Sequence, residues 1–345
     1  MNTTAQQKKR IPTFDIAKGI GILAVITGHM SYFSSSHPLH WVIFSFHMPL
    51  FFLVAGYFFR PTTAMNMAKK RFHQLIVPYI VTGIIIAVLA SVKEAALGDL
   101  SKTPHVFIDW ILKVAFGSGT HSSYFFGITY IGPIWFLLAL FFAQVFYTFI
   151  ADKKYAWIVS LLLFVAGVVT APLLWLPWSI QSAMTSLLFI HVGYVIRKHN
   201  WFDPHKVQLI PFALSFIVWV VVVYVDHGKN YFASNYFVCE PADVLGGITG
   251  TLVVLWISIW IARIPVVSSL LEKAGTYSLV ILCAHAIEVS VFPWSKVISK
   301  LSYMDLYPSL IGACVIIMMK LLIVTIAVLI VQRVPLLAKI YGLKK

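Results

Sequence analysis

Charge is scarce in this 345-residue chain, and acid is scarcer than base. Asp, Glu, Lys and Arg together make up only 11% of the residues, with 12 acids against 26 Lys and Arg. Soluble domains carry about 25% charged residues, so a water-exposed globule is excluded. Cysteine is rarer still. Cys239, Cys283 and Cys314 are odd in number and lack CxxC spacing, which removes a disulfide framework and a structural zinc site. No internal repeat, low-complexity tract or long polar stretch breaks the chain, so a single domain over 1–345 is expected.

What is present is apolar. Hydrophobic residues make up 60% of the chain and the mean hydropathy is +0.87, the composition of an all-α integral membrane protein. A membrane-crossing helix needs about 20 mainly apolar residues. Ten segments qualify: 14–33, 41–59, 74–92, 131–150, 155–174, 178–196, 207–225, 244–262, 276–294 and 308–331. The net charge of +14 would suit nucleic acid only if it formed one polar face. Here the basic residues fall between apolar runs, so nucleic acid is set aside and topology explains them.

The positive-inside rule gives the orientation. Lys8, Lys9 and Arg10, then Arg60, Lys69, Lys70 and Arg71, then Lys153, Lys154, Arg197, Lys198, Lys206, Arg263 and Lys273, and finally Arg333, Lys339, Lys344 and Lys345 all fall on the side of the N-terminus. The opposite loops hold fewer bases, offset by acids. The expectation is a bundle of about ten transmembrane helices in the inner or plasma membrane, with both termini cytoplasmic. The N-terminal Lys-Lys-Arg before an apolar run imitates a signal peptide. That run is too long and no small-x-small site follows, so it is read as a retained span.

Two outer loops stand out. In 93–130, TPHVFIDWILKVAFG has helical periodicity and suits the interface, while GSGTHSSYFFG reads as a flexible loop. The loop 226–243, DHGKNYFASNYFVCEPAD, mixes aromatics with acids and amides. It suits either sugar stacking or an interfacial aromatic belt.

Ionisable groups inside the spans carry the chemistry, because such groups face a bundle interior or a water-filled cavity. FDIAKGIGILAVITGHM, residues 14–30, holds Lys18 and His29. Eleven residues separate them, about 16 Å along the axis and nearly one face around it. Counting from the inner ends of their spans puts His47 at about 18 Å, His285 at about 14 Å, Glu288 at about 18 Å and Lys320 at about 16 Å. A polar layer near the midplane results. Its members are read as functional or as structural partners, Glu288 with Lys320 above all. His191 falls off the layer and reads as a packing histidine. Asp15 caps the first turn of its helix or pairs with Lys18. Arg60, Lys70 and Arg71 form the densest basic cluster. Anionic lipid headgroups and a phosphate clamp both explain it.

FDIAKGIGILAVITGH, FSFHMPLFFLVAGYFF, KKRFHQLIVPY, GPIWFLLALF and AGTYSLVILCAH occur in the order found in the type-3 membrane acyltransferases. The chain resembles that family of O-antigen and exopolysaccharide O-acetyltransferases over its whole length, and within it the fucose O-acetylase-like branch. The family pattern of a basic residue and a histidine in the first span falls on Lys18 and His29, although most members have Arg where Lys18 stands. Its Arg-x-x-Arg before a proline falls on Arg71, with Gln74 at the second position. Its Ser-Tyr-Leu-His-like motif ends at His285.

The resemblance implies acetyl-CoA as co-substrate, with no bound cofactor and no metal, and a glycan or lipid-linked sugar as acceptor. Lys18, Arg71, Lys70 and Arg60 would hold the donor's phosphates at the cytoplasmic mouth. His29 would act as general base with His285 and Glu288 around it, and His47 and Trp135 would meet the acceptor. The competing class is an ion-coupled transporter, which also places ionisable groups at the midplane. It gives no reason for the Lys18 to His29 alignment.

Overall fold

The computed structural model of the chain describes residues 11–33, 35–120, 130–227, 231–237 and 241–343. Lys8, Lys9, Arg10, Lys229, Cys239, Glu240, Lys344, Lys345 and most of the GSGTHSSYFFG loop lie outside them. Fifteen helices are found among the described residues: α1 Pro12–Gly28, α2 Pro38–Tyr57, α3 Ala64–Arg71, α4 Val77–Ala96, α5 Thr103–Phe116, α6 Trp135–Tyr147, α7 Ala156–Thr170, α8 Ile180–Lys198, α9 Leu209–Asp226, α10 Pro241–Ile261, α11 Pro265–Thr276, α12 Ser278–Val291, α13 Trp294–Tyr303, α14 Leu310–Arg333 and α15 Pro335–Ile340. A π-helical turn, Phe72–Ile76, joins α3 to α4.

Proline opens many of these helices. It occupies the first or second position of α1, α2, α4, α5, α11 and α15, where its fixed φ is already helical and its missing N–H is not needed. His37, Thr63 and Ser309 cap α2, α3 and α14 with side-chain acceptors. The helix expected in 93–130 is present as α5.

Among the described residues six helices are long and apolar enough to cross a membrane: Pro38–Tyr57, the continuous Ala64–Ala96, Pro177–Lys198, Leu209–Asp226, Pro241–Ile261 and Leu310–Arg333. The bent pair α11 and α12, at 72°, makes a seventh if it is one crossing. The chain is thus an all-helical, multi-pass membrane protein. The other expected spans fold shorter: α1 has 17 residues, α6 has 13, α7 has 15 and α12 has 14. Local causes are visible. His29 leaves helical geometry and caps α1. Gly132 at φ +79° and Pro133 delay the start of α6, and Pro293 follows the extended Phe292 that ends α12.

Lipid tails are as apolar as leucine, so helices in a membrane associate through close packing rather than through exclusion of water. Glycine provides that closeness here. A Cβ on Gly56 of α2 would lie 2.0 Å from the Ile190 carbonyl oxygen of α8, and one on Gly193 would lie 2.0 Å from the Leu53 oxygen. The same holds between α1 and α11, where a Cβ on Gly275 would lie 1.8 Å from the Asp15 oxygen and one on Gly19 2.2 Å from the Leu271 oxygen. Backbone meets backbone at both crossings, which fixes α1 and α2 as rigid walls. Gly56→Ala or Gly193→Ala forces α2 off α8 and destabilises the protein by about 1–3 kcal/mol, the usual cost of overpacking. Thermal unfolding in detergent reads this, and an unchanged midpoint would show that the helices are not in backbone contact.

Candidate active site

α1 and α2 run antiparallel and enclose a cavity of about 340 Å³. Along α1 it is lined by Lys18, Ile22, Val25 and His29, and along α2 by Phe58, Val54, Phe51 and His47. Both series advance by four, three and four residues, the spacing of one helix face. One continuous shaft results. It has Lys18 and Arg71 at one end, His29 and His47 at the other, and walls between that are apolar apart from Gln144 and Ser278. α6 forms a further wall with Trp135, Leu137, Leu140 and Gln144, and Tyr231, Phe232 and Ala233 of the 226–243 loop close the histidine end.

His29 is exposed, and the space it faces is this shaft. Its Nδ1 lies 2.8 Å from the Val25 carbonyl oxygen. A carbonyl only accepts, so Nδ1 carries the proton and Nε2 presents a lone pair. His47 has the same arrangement, with Nδ1 2.8 Å from the Ile43 oxygen. Both tautomers are therefore fixed by the turn of helix beneath them. Pro49 sits two residues beyond His47 within α2 and denies the Ser45 carbonyl its helical partner.

Behind His29 lies a second layer that does not line the shaft. The His285 ring meets the His29 ring edge-on, with centroids 5.2 Å apart. Glu288 is the hub of this layer: Oε1 accepts from His285 Nδ1 at 2.6 Å and from Lys320 Nζ at 2.8 Å, and Oε2 accepts from Trp294 Nε1 at 2.5 Å. Lys320 also stands 4.3 Å over the Trp294 ring. The Glu288 to Lys320 pairing read from the sequence is present. His285 Nε2 is buried without a hydrogen-bond partner.

At the other end, Lys18 is paired with Asp15 at 2.6 Å, the alternative that sequence left open for Asp15. Arg71 donates from Nη1 to Gln74 Oε1 at 2.7 Å. The glutamine in place of a second arginine thus holds the first. The Arg71 Nε is buried and has no partner. Arg60 and Lys70 are exposed and are not among the lining residues. Among the described residues no group of three or more His, Cys, Asp or Glu side chains is arranged to hold a metal ion. His191 lies away from the shaft, bonded to Tyr147 at 2.7 Å and against Trp157.

Four residues of the site were not singled out from the sequence. Tyr231 and its neighbours reach the shaft from a loop, which no helical periodicity reveals. Trp294 joins Glu288 across the break after α12. Arg197 caps the end of α2 by donating to the carbonyls of Tyr57 and Phe59. Gln144 was visible as the lone amide in the apolar run Trp135–Tyr147, on the face of Leu137 and Leu140.

The Glu288 to Lys320 pair allows a direct check. Breaking a buried pair strands a charge at a cost of about 3–5 kcal/mol, whereas removing both partners is close to neutral. Glu288→Gln alone therefore lowers the unfolding midpoint strongly, and adding Lys320→Met restores most of it. Equal losses in the single and double variants would show that charge pairing is not what holds this layer.

Comparison with curated proteins and with solved structures gives no match for the chain. Comparison with protein families gives one, to the acyltransferase domain of the type-3 family over residues 11–331. That match covers nearly the whole chain, the shaft and both of its ends included, and this membrane protein belongs to the type-3 acyltransferase family.

Proposed function

We infer that the protein transfers an acetyl group from cytoplasmic acetyl-CoA to a hydroxyl of a cell-surface or lipid-linked glycan, with His29 as general base. The observation that carries this reading is the shaft itself. It joins a cationic end to an imidazole with a free lone pair through about 16 Å of mostly apolar wall. An acyl thioester on a long arm ending in phosphates has that outline. The fucose O-acetylase-like motifs support a sugar as acceptor, and Tyr231 and Trp135 supply aromatic faces beside the histidines.

In the reaction, His29 Nε2 takes the proton of the acceptor hydroxyl as its oxygen attacks the thioester carbonyl. The carbon–sulfur bond breaks, and the imidazolium returns the proton to the departing CoA thiolate. An ester and CoA leave, and His29 is neutral again. Its Nδ1 bond to Val25 keeps Nε2 aimed along the shaft throughout. The His285 ring, tied to Glu288, packs behind the His29 ring and limits its rotation. Arg71 offers the donor's phosphates an N–H fork, while Lys18 supplies a point charge that Asp15 partly claims.

His29→Ala leaves expression intact and lowers transfer by about 10²–10⁴-fold, the usual contribution of a general base. Release of CoA thiol by purified protein and mass spectrometry of surface glycans from cells carrying the variant read this. Unchanged glycan acetylation would remove His29 from the mechanism, and wild-type protein that leaves the thioester intact would favour a carrier. Arg71→Ala raises the KM for acetyl-CoA by about tenfold or more, as loss of a charge-assisted bond does, and Lys18→Ala raises it less. A fall in kcat with KM unchanged would contradict donor binding at that end.

A further inference from the structure

Gln144 is the one amide side chain on the shaft wall among the described lining residues, and it is buried to 1% exposure. Its Oε1 has no hydrogen-bond partner. An unmet acceptor in an apolar wall is costly, so such an oxygen calls for an N–H from whatever fills the space.

The height of Gln144 says which N–H. Phe14 of α1 packs on Phe58 beyond the end of α2, with centroids 4.8 Å apart, and the adjacent Phe59 packs on Tyr147 of α6 at 4.8 Å. These rings form a collar below the shaft. Lys18 stands about one turn above Phe14 on α1. Gln144 stands about one turn above Tyr147 on α6, which runs the opposite way. Lys18 and Gln144 therefore share a level, roughly one helical pitch above the collar. Helical side chains lean toward the N-terminus of their helix, so the Gln144 amide leans from that level toward His29. It sits above the phosphate-binding end and well short of the imidazole.

We propose that Gln144 Oε1 accepts the N–H of the donor arm's amide nearer the phosphates, and so selects acyl donors carried on an amide-bearing arm. This rests on the reading of the shaft as an acyl-CoA site. The arm carries two secondary amides, and the one nearer the phosphates falls at the height of Gln144 when the thioester is at His29. Apart from Ser278, the lining residues between the two ends of the shaft that flank Gln144 are apolar. Gln144 is a binding residue in this scheme and touches no reacting atom.

The test is a double-substitution cycle on CoA binding to purified full-length protein, with no acceptor present. Gln144→Leu weakens CoA about tenfold, the worth of one good hydrogen bond. A CoA analogue with an ester oxygen in place of the phosphate-proximal amide N–H binds wild type about tenfold more weakly and binds Gln144→Leu no worse than CoA does. The matching analogue at the amide nearer the thioester weakens both proteins equally. Gln144→Leu keeps or raises the thermal unfolding midpoint, which shows that the variant is folded. Multiplying effects of substitution and analogue, as when a water satisfies Gln144, would overturn the proposal, as would coupling at the other amide. Failure of wild type to bind CoA at all would overturn both this proposal and the reading it rests on.

Discussion

A polar group inside an apolar bundle must find a partner, and around the histidines the chain meets much of that constraint with its own residues. Glu288 accepts from three donors at once, which neutralises Lys320, holds His285 and anchors Trp294. His29 and His47 each give one proton to the turn of helix below. Along the shaft the constraint is left unmet at Arg71 Nε and Gln144 Oε1, the two atoms that the proposed reading gives to a ligand. Position along the shaft then sorts these groups: cation at one end, amide near it, lone-pair imidazole at the other.

The walls that allow this are held by glycine rather than by large side chains. With the α2 to α8 and α1 to α11 crossings at backbone contact, α1 and α2 cannot close on one another to fill the space between them. The cavity is therefore a consequence of where the helices are pinned. Its inner lining of Ile22, Val25, Phe51 and Val54 repels water and suits an uncharged arm. Tight packing on the outside of these helices and open space between them are two results of one arrangement.

The departures from the even ten-span reading have a chemical sense. α1 stops at Gly28 so that His29 sits at a helix end, where its ring turns back on Val25 and its far nitrogen faces open space. α6 begins late, after Gly132 and Pro133, which brings Trp135 to the same end. α12 breaks before Trp294, which lets the indole fold back onto Glu288. Short helices and broken ends cluster around the histidines, because a regular helix turns its backbone groups inward on itself and leaves little freedom to aim a side chain.

Hydropathy settled that the chain crosses a membrane as helices, because burying a backbone in lipid is a local requirement met residue by residue. Spacing along one helix settled that Lys18 and His29 share a face, because 3.6 residues per turn is fixed by covalent geometry. Motif order pointed to the acyltransferase family for the same one-dimensional reason. Which faces of α1, α2 and α6 enclose a common space, that Tyr231 drops into it from a loop, and that Gln144 is left without a partner while Glu288 has three were decided only by tertiary packing. Those outcomes depend on distances between residues remote in sequence, and pattern along a single helix carries no information about them.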